Sequence, residues 1–512
     1  MIVKSSFEEM RMSSSPVIVG AAQFTQHKKT ERPLDPLSLM VKASSDALSD
    51  SGVSELKNSI DCVYVMNLFQ WSYRDAPGML SAMLGIKPVQ ASYLPIGGNT
   101  PQMIFNRAAR DLAAGRCRAV LMTGAEAIYS LRRAMKGDVV LDWPPSVPPD
   151  RIDGENTSGV DKIEEVYDLF FPSLMYPLFE TSLRASSGRF PDEHRMYMGK
   201  SFERLSRIAS KNPFAWSQNA LSAEIIATPS PENRYVGYPY TKYMNANVDV
   251  DQSAALIMTT EDTARLLGIH QDKWVYPIGG ADFNDIWNVT RRPCLHESPA
   301  IRHASRIALK QADLTPDDIS VFDIYSCFPS AFEIARKEIG IPDDDPRDLS
   351  VTGGLPFFGG PGNNYVTHAI AAVVDLIRKD RALKAMVTAN GWYLTKHAIG
   401  IYAGTPPVHP WNDRDDSLTQ RAIDAEALPM PVEKASGSLM VEAYVIRHDS
   451  AGNPLQGGVV GRLKNGGRAL AIIDAGPDEL LIMEKIEWVG KEGEVRYDET
   501  VGKNKVRFNV SR

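Results

Sequence analysis

The chain has 512 residues, too many for one ordinary core, so two to four domains are expected. Its apolar content of 43% and charged content of 23% are those of a water-soluble globular protein. A net charge of −7, from 56 Lys+Arg against 63 Asp+Glu, leaves no basic footprint for nucleic acid or an anionic membrane surface. No apolar run is long enough for membrane insertion, and "MIVKSSFEEMRMSSSPVIVG" carries acidic residues where a signal peptide would be apolar. Cys62, Cys117, Cys294 and Cys327 are scattered, with no C-x-x-C and no histidine at zinc spacing. That usage predicts a reducing, cytoplasmic setting without a disulfide frame or structural zinc.

In chain order, "VIVGAAQFTQ" (17–26) reads as an opening strand. "DPLSLMVKASSDALSDSGVSELKNSIDCVYVMN" (35–67) follows as a helix, a short loop and an apolar strand. "PIGGNTPQMIFNRAARDLAAGRCRAVLMTGAEA" (95–127) is a tight glycine turn, an amphipathic helix, a short connection and another strand. From about 128 to 247 the pattern loosens and becomes rich in Pro, Met, Tyr and Trp, as in "DWPPSVPPDRIDG" and "FFPSLMYPLF". An insertion this long and aromatic reads as a lid or binding subdomain. The first two helix–strand segments then return: "ESPAIRHASRIALKQADLTPDDISVFDIYSCF" (297–328) echoes the first and "GGLPFFGGPGNNYVTHAIAAVVDLIRKDRALKAMVTANGW" (353–392) the second. Two echoes in the same order indicate a duplicated half, about 1–275 and 276–405, built on parallel strands covered by helices. Residues 406–436 read as a linker. From 437 to 512 alternating patterns predict a five- or six-stranded β-barrel of oligonucleotide-binding (OB) type, with hairpin turns at Asn465-Gly466 and Lys491-Glu492-Gly493. Acids and bases are about equal in this barrel, so nucleic acid is not its expected ligand.

Four segments resemble the thiolase superfamily: "VIVGAAQFTQ", "NPFAWSQNALSAEIIATPS", "DVDQSAALIMTTEDTARLLG" and "GGLPFFGGPG". They are similar to its opening strand, its Asn-Pro segment, its Asp-x-x-Ala-Ala strand and the segment bearing its Gly-His-Pro motif. Within the sterol-carrier-type branch, the pattern most resembles the acetyl-CoA acetyltransferase-like proteins of type one with an additional C-terminal β domain. The resemblance implies an α/β fold of two thiolase halves in five layers (αβαβα), a loop domain, and binding of coenzyme A thioesters as substrate or ligand. It implies no covalently bound cofactor. A monomer or a homodimer is expected.

Each position carried over from the family departs from it. The thiolase nucleophile, a cysteine at the turn opening the buried helix of the first half, corresponds to Gly98. The oxyanion-hole motif becomes Tyr325-Ser326-Cys327-Phe328, the histidine of Gly-His-Pro becomes Gly360, and the final Cys-x-Gly becomes Ala389-Asn390-Gly391. Covalent acyl transfer needs a thiolate, a base to form it and a second acid/base, so loss of all three argues against thiolysis. What remains is a polar and aromatic set. Tyr325, His368 and His397 are expected to move protons. Gly98, Asn99, Ser326, Gly360, Asn363, Asn364, Asn390 and Tyr393 are expected to bind the thioester. Such a set suits an acyltransferase-like or retro-aldol carbon–carbon bond enzyme; the alternative is a non-catalytic acyl-CoA carrier. Cys62, Cys117 and Cys327 read as packed core thiols.

Overall fold

The computed structural model describes residues 15–508. Residues 1–14 of the opening stretch read against a signal peptide therefore lie outside the described residues. In the first half, five strands lie in the spatial order Pro16–Thr25, Asp251–Thr260, Ala119–Ala127, Ile60–Val65, Gln90–Tyr93. The first two junctions are antiparallel and the rest parallel. The second half repeats this with Tyr276–Asn284, Lys396–Ala403, Lys384–Gly391 and Val321–Asp323, again antiparallel, antiparallel, parallel. The echo in the sequence is thus an echo in topology, one strand shorter.

Helices Thr100–Ala113 and Tyr365–Lys379 lie between the two sheets and touch both, while Pro36–Asp50 and Pro299–Ala312 cover the outer faces. The five layers follow. The helix Thr100–Ala113 is buried on more faces than its amphipathic pattern predicts, and its polar residues are satisfied inside the core. Asn106 Nδ2 donates to the Ile399 carbonyl at 3.2 Å, and the Tyr402 hydroxyl donates to Gln102 Oε1 at 2.8 Å. This approach needs Gly400, because a Cβ there would overlap the Gln102 amide. One apolar core runs through both halves, and the barrel has its own.

The insertion is mainly helical and contains Pro172–Ser187 and Pro191–Ala209. The stretch 406–436 is docked rather than free. It holds a helix, Ser417–Ala425, whose Gln420 exchanges two hydrogen bonds with the Asn284 backbone, and Trp411 is buried with its indole N–H on the Pro277 carbonyl.

The C-terminal strands Ser436–His448, Pro454–Leu463, Arg468–Ile473, Lys503–Arg507 and Glu492–Asp498 close on one another as a five-stranded barrel. Closure leaves no free edge inside the ring. Two expectations are corrected. "LLIM" (480–483), within the stretch 437–512 expected to alternate as strands, lies in the helix Pro477–Met483: Pro477 opens it, Glu479 caps it, and Leu480 and Met483, three apart, are buried. The turn assigned to Lys491-Glu492-Gly493 falls earlier, where Gly490 takes φ 85°, and Gly493 pairs with Leu439 inside a strand.

Candidate functional site

A cavity of about 460 Å³ opens where helices begin and strands end in both halves. Gly97 and Gly98 line it from the turn before Thr100–Ala113, and Tyr325, Cys327 and Phe328 from the connection after Val321–Asp323. Gly360 and Asn363 precede the helix Tyr365–Lys379, and Asn390 to Tyr393 end the strand Lys384–Gly391. The insertion adds Tyr176 from the helix Pro172–Ser187, with Phe170 and Phe69 at the rim, 43% and 45% exposed.

The glycine turn is set by a residue of the other half. Asn363 Oδ1 accepts the Gly97 amide at 2.8 Å, while Asn363 Nδ2 donates to the Asn67 carbonyl at 2.9 Å. Gly98 then faces the Tyr325 ring. A Cβ on Gly98 would overlap the Tyr325 hydroxyl and stand 2.5 Å from the Asn390 carbonyl oxygen. The volume a side chain would occupy at this turn is therefore filled by a phenol. Tyr325 is fixed by its amide, which donates to Thr388 Oγ1 at 2.9 Å, and by edge contact with Tyr365 at 5.5 Å between centroids. Burial, then the nearby Cys327, pushes its phenol well above the usual tyrosine range, which keeps it a neutral proton donor.

Tyr176 is the second phenol. Its hydroxyl donates to the Trp392 carbonyl and accepts from Asn390 Nδ2, each at 2.8 Å, and its ring stacks on Phe328 at 4.3 Å. Asn390 Oδ1 is buried with no hydrogen-bond partner among the described residues. Cys327 lines the cavity as well, but burial pushes its thiol up to about 12, so it is no thiolate near neutral pH. Trp392 and Leu394 hold φ of 55° and 50°, left-handed values that cost about 1 kcal/mol or more for such residues. The buried Arg292 holds this loop: it donates to the Tyr393 carbonyl at 3.1 Å and to Thr395 Oγ1 at 2.9 Å.

The eleven residues picked from the sequence divide. Gly98, Tyr325, Gly360, Asn363, Asn390 and Tyr393 line the cavity. The expectation that His368 and His397 converge on it is corrected. His368 faces the core, its Nδ1 3.1 Å from Gln23 Oε1, and burial pushes it down to about 3. His397 Nε2 stands 3.2 Å from Asp285 Oδ2, at ion-pair distance but out of hydrogen-bond alignment. Asn364 is also structural, its amide on the Gly124 carbonyl at 2.7 Å. Asn99 and Ser326 are buried beside the cavity and outside its lining.

Sequence reasoning missed Tyr176, whose only signal was the aromatic run "FFPSLMYPLF". It also missed Glu126, behind the rim. Glu126 Oε1 accepts the Phe69 amide at 2.7 Å, and burial pushes its carboxyl up to about 8. Lys396, pushed down to about 8 by burial, donates to the Ile96 carbonyl beside the glycine turn at 2.5 Å.

Residues 419–500 match the family model described as the additional C-terminal domain of thiolase-like protein type 1. A crystal structure of a monomeric SCP2-thiolase-like protein type 1 from Mycobacterium smegmatis is 30% identical, with a TM-score of 0.82. The match covers 96% of this chain and 98% of that one. The chain belongs to the type 1 SCP2-thiolase-like proteins. A curated acetyl-CoA acetyltransferase of Methanocaldococcus jannaschii is 22% identical over 74% of this type 1 chain and 94% of its own length. Two solved structures share the fold over 76% of this type 1 chain. One, an Ltp2-ChsH2(DUF35) aldolase, has TM-score 0.58, 16% identity and 98% of its own chain covered. The other, an acetyl-CoA acetyltransferase from Syntrophomonas wolfei, has TM-score 0.56, 14% identity and 99% covered. The matched span runs from the helix Ser417–Ala425 through four of the five barrel strands of this type 1 protein. Among the described residues no helix is long and apolar enough to cross a membrane.

Proposed function

We propose that this thiolase-like protein is a carbon–carbon bond enzyme of coenzyme A thioesters that works without an acyl-enzyme, cleaving or forming a β-hydroxyacyl thioester by retro-aldol chemistry. The observation that carries the reading is the Tyr325 hydroxyl standing where a side chain at the thiolase nucleophile position, Gly98, would be. A phenol kept neutral can relay a proton without ionising. Its oxygen receives the β-hydroxyl proton as the Cα–Cβ bond breaks, and its own proton passes to Cα of the departing enolate. The enolate oxygen is stabilised by the positive end of the helix Thr100–Ala113, whose opening turn at Gly97 and Gly98 lines the cavity. The apolar rim at Phe69 and Phe170 suits the acyl chain. The protein works as a monomer in this reading, like its monomeric Mycobacterium smegmatis relative.

A second reading is favoured by one observation: among the described residues that line the cavity there is no carboxylate, imidazole or amine. That suits a non-catalytic carrier of the same thioesters. Calorimetric titration with coenzyme A and a panel of acyl and β-hydroxyacyl thioesters, followed by mass spectrometry, separates the two. A β-hydroxyacyl thioester split into carbonyl product and shorter thioester supports the enzyme. Binding with every thioester intact supports the carrier, and no binding at all overturns both.

A further inference from the structure

Behind the Tyr176 wall of the cavity, three helices bring Glu180, His194 and Glu333 together. Glu180 lies on Pro172–Ser187, His194 on Pro191–Ala209 and Glu333 on Pro329–Ile339. All three are buried, at 0%, 1% and 3% exposure, and one ligand atom from each lies within 4.8 Å of the others. His194 Nε2 is 2.5 Å from Glu180 Oε1, and the Tyr240 hydroxyl donates to Glu180 Oε2 at 2.7 Å. Glu333 Oε1 and His194 Nδ1 are buried and make no hydrogen bond among the described residues. The arginines near Glu333 do not fill the gap: Arg189 and Arg336 are paired with Asp343.

We propose that Glu180, His194 and Glu333 bind one divalent first-row transition ion, zinc or manganese, as a structural tie between the three helices. A buried polar atom without a partner is costly, and Glu333 Oε1 is one inside the cluster, while an ion held by His194 Nε2 and Glu180 Oε1 would replace the proton these two atoms share. Two carboxylates and a neutral imidazole make a ligand set of the kind that holds zinc or manganese, and their two negative charges balance a divalent cation. The chain separation of the three ligands explains why no metal-binding spacing is visible in the sequence. The tie also bears on the cavity, since Tyr176 precedes Glu180 by one turn of the same helix.

The test uses the full chain, expressed in medium supplemented with zinc and manganese, gel-filtered without chelator and analysed for metals. Glu333→Gln and His194→Gln are carried in parallel, with circular dichroism to confirm folding. The expected result is about one equivalent per chain, falling at least tenfold in each folded variant. Should one variant fail to fold, the other decides. If both do, refolding of the wild-type chain with and without zinc or manganese decides by melting temperature, with a rise expected. Wild-type content below about a tenth of an equivalent, with no such rise, overturns the proposal. Full metal retained in a folded variant also overturns it, because the ion then lies elsewhere.

Discussion

At the residue scale the site turns on a pair, Gly98 and Tyr325. The glycine is what the sequence shows, and its partner is what the fold supplies. Restoring a cysteine by Gly98→Cys drives Cβ into the Tyr325 hydroxyl and the Asn390 carbonyl. It should lower stability by about 1–3 kcal/mol in urea unfolding and yield no thiolysis of a 3-oxoacyl thioester. Robust thiolysis in this variant would sink the reading of Tyr325 as the group that took the nucleophile's place. Tyr325→Phe removes only a hydroxyl for which no protein hydrogen bond is seen among the described residues, so the melting temperature should hardly move. Turnover of the β-hydroxyacyl thioester identified by titration should fall about 100-fold or more. An unchanged rate would assign the proton relay to another group. Gly98, Tyr325 and Asn390 were legible because each departs from a family motif at a defined position. Tyr176 was not, because it sits in the insertion, where no motif marks it.

At the element scale, the helix Tyr365–Lys379 shows what a periodic pattern can and cannot say. Its apolar spacing predicts a buried helix, and it is one; yet the same spacing cannot tell whether His368 meets a cavity or packed side chains. The structure gives it Gln23 and the Phe358 ring. Because the folded state keeps His368 neutral down to about pH 3, while an unfolded histidine protonates near 6.5, acid favours the unfolded chain between those values. Stability from this group is complete above about 6.5 and is lost as pH falls toward 3, at up to ~1.4 kcal/mol per pH unit. His368→Gln should flatten the slope of unfolding free energy against pH across that window. A slope equal to the wild type's would mean that the ring is solvated in the folded protein. The helix Pro477–Met483 makes the converse point. Its apolar residues also fit a strand, and the end signals Pro477 and Glu479, rather than hydrophobicity, decided the element.

At the scale of the whole molecule, the barrel is fastened to the body by buried polar contacts as well as by its apolar face. Arg184, on the same helix as Tyr176, is 1% exposed and pairs with Glu487 at 2.9 Å. Arg468 reaches from the barrel to the Thr290 and Arg292 carbonyls at 2.9 and 2.6 Å, next to the arginine that holds the Trp392 loop. The Thr181 hydroxyl bonds both backbone groups of Tyr444, at 3.0 Å each. Glu487→Gln leaves the Arg184 guanidinium buried without its counter-charge and should cost about 2 kcal/mol. Scanning calorimetry should show a single unfolding transition for wild type and variant alike. Two separated peaks, with only the smaller one shifted, would make the barrel an independent module.

By itself the sequence determined the element types over most of the chain, the duplication of the α/β half and the β character of the last domain. These rest on local periodicity and on repeats that a single chain displays. It also determined which motif positions had changed. Only the tertiary structure decided which of the polar residues face the cavity, that Tyr325 fills the volume beside Gly98, and that Tyr176 enters from the insertion. The same holds for the grouping of Glu180, His194 and Glu333, and for the buried arginines that bind barrel to body. The physical reason is common to all of them. Periodicity fixes the face of an element on which a residue stands, whereas its partner comes from an element far away in the chain, and packing alone selects that partner.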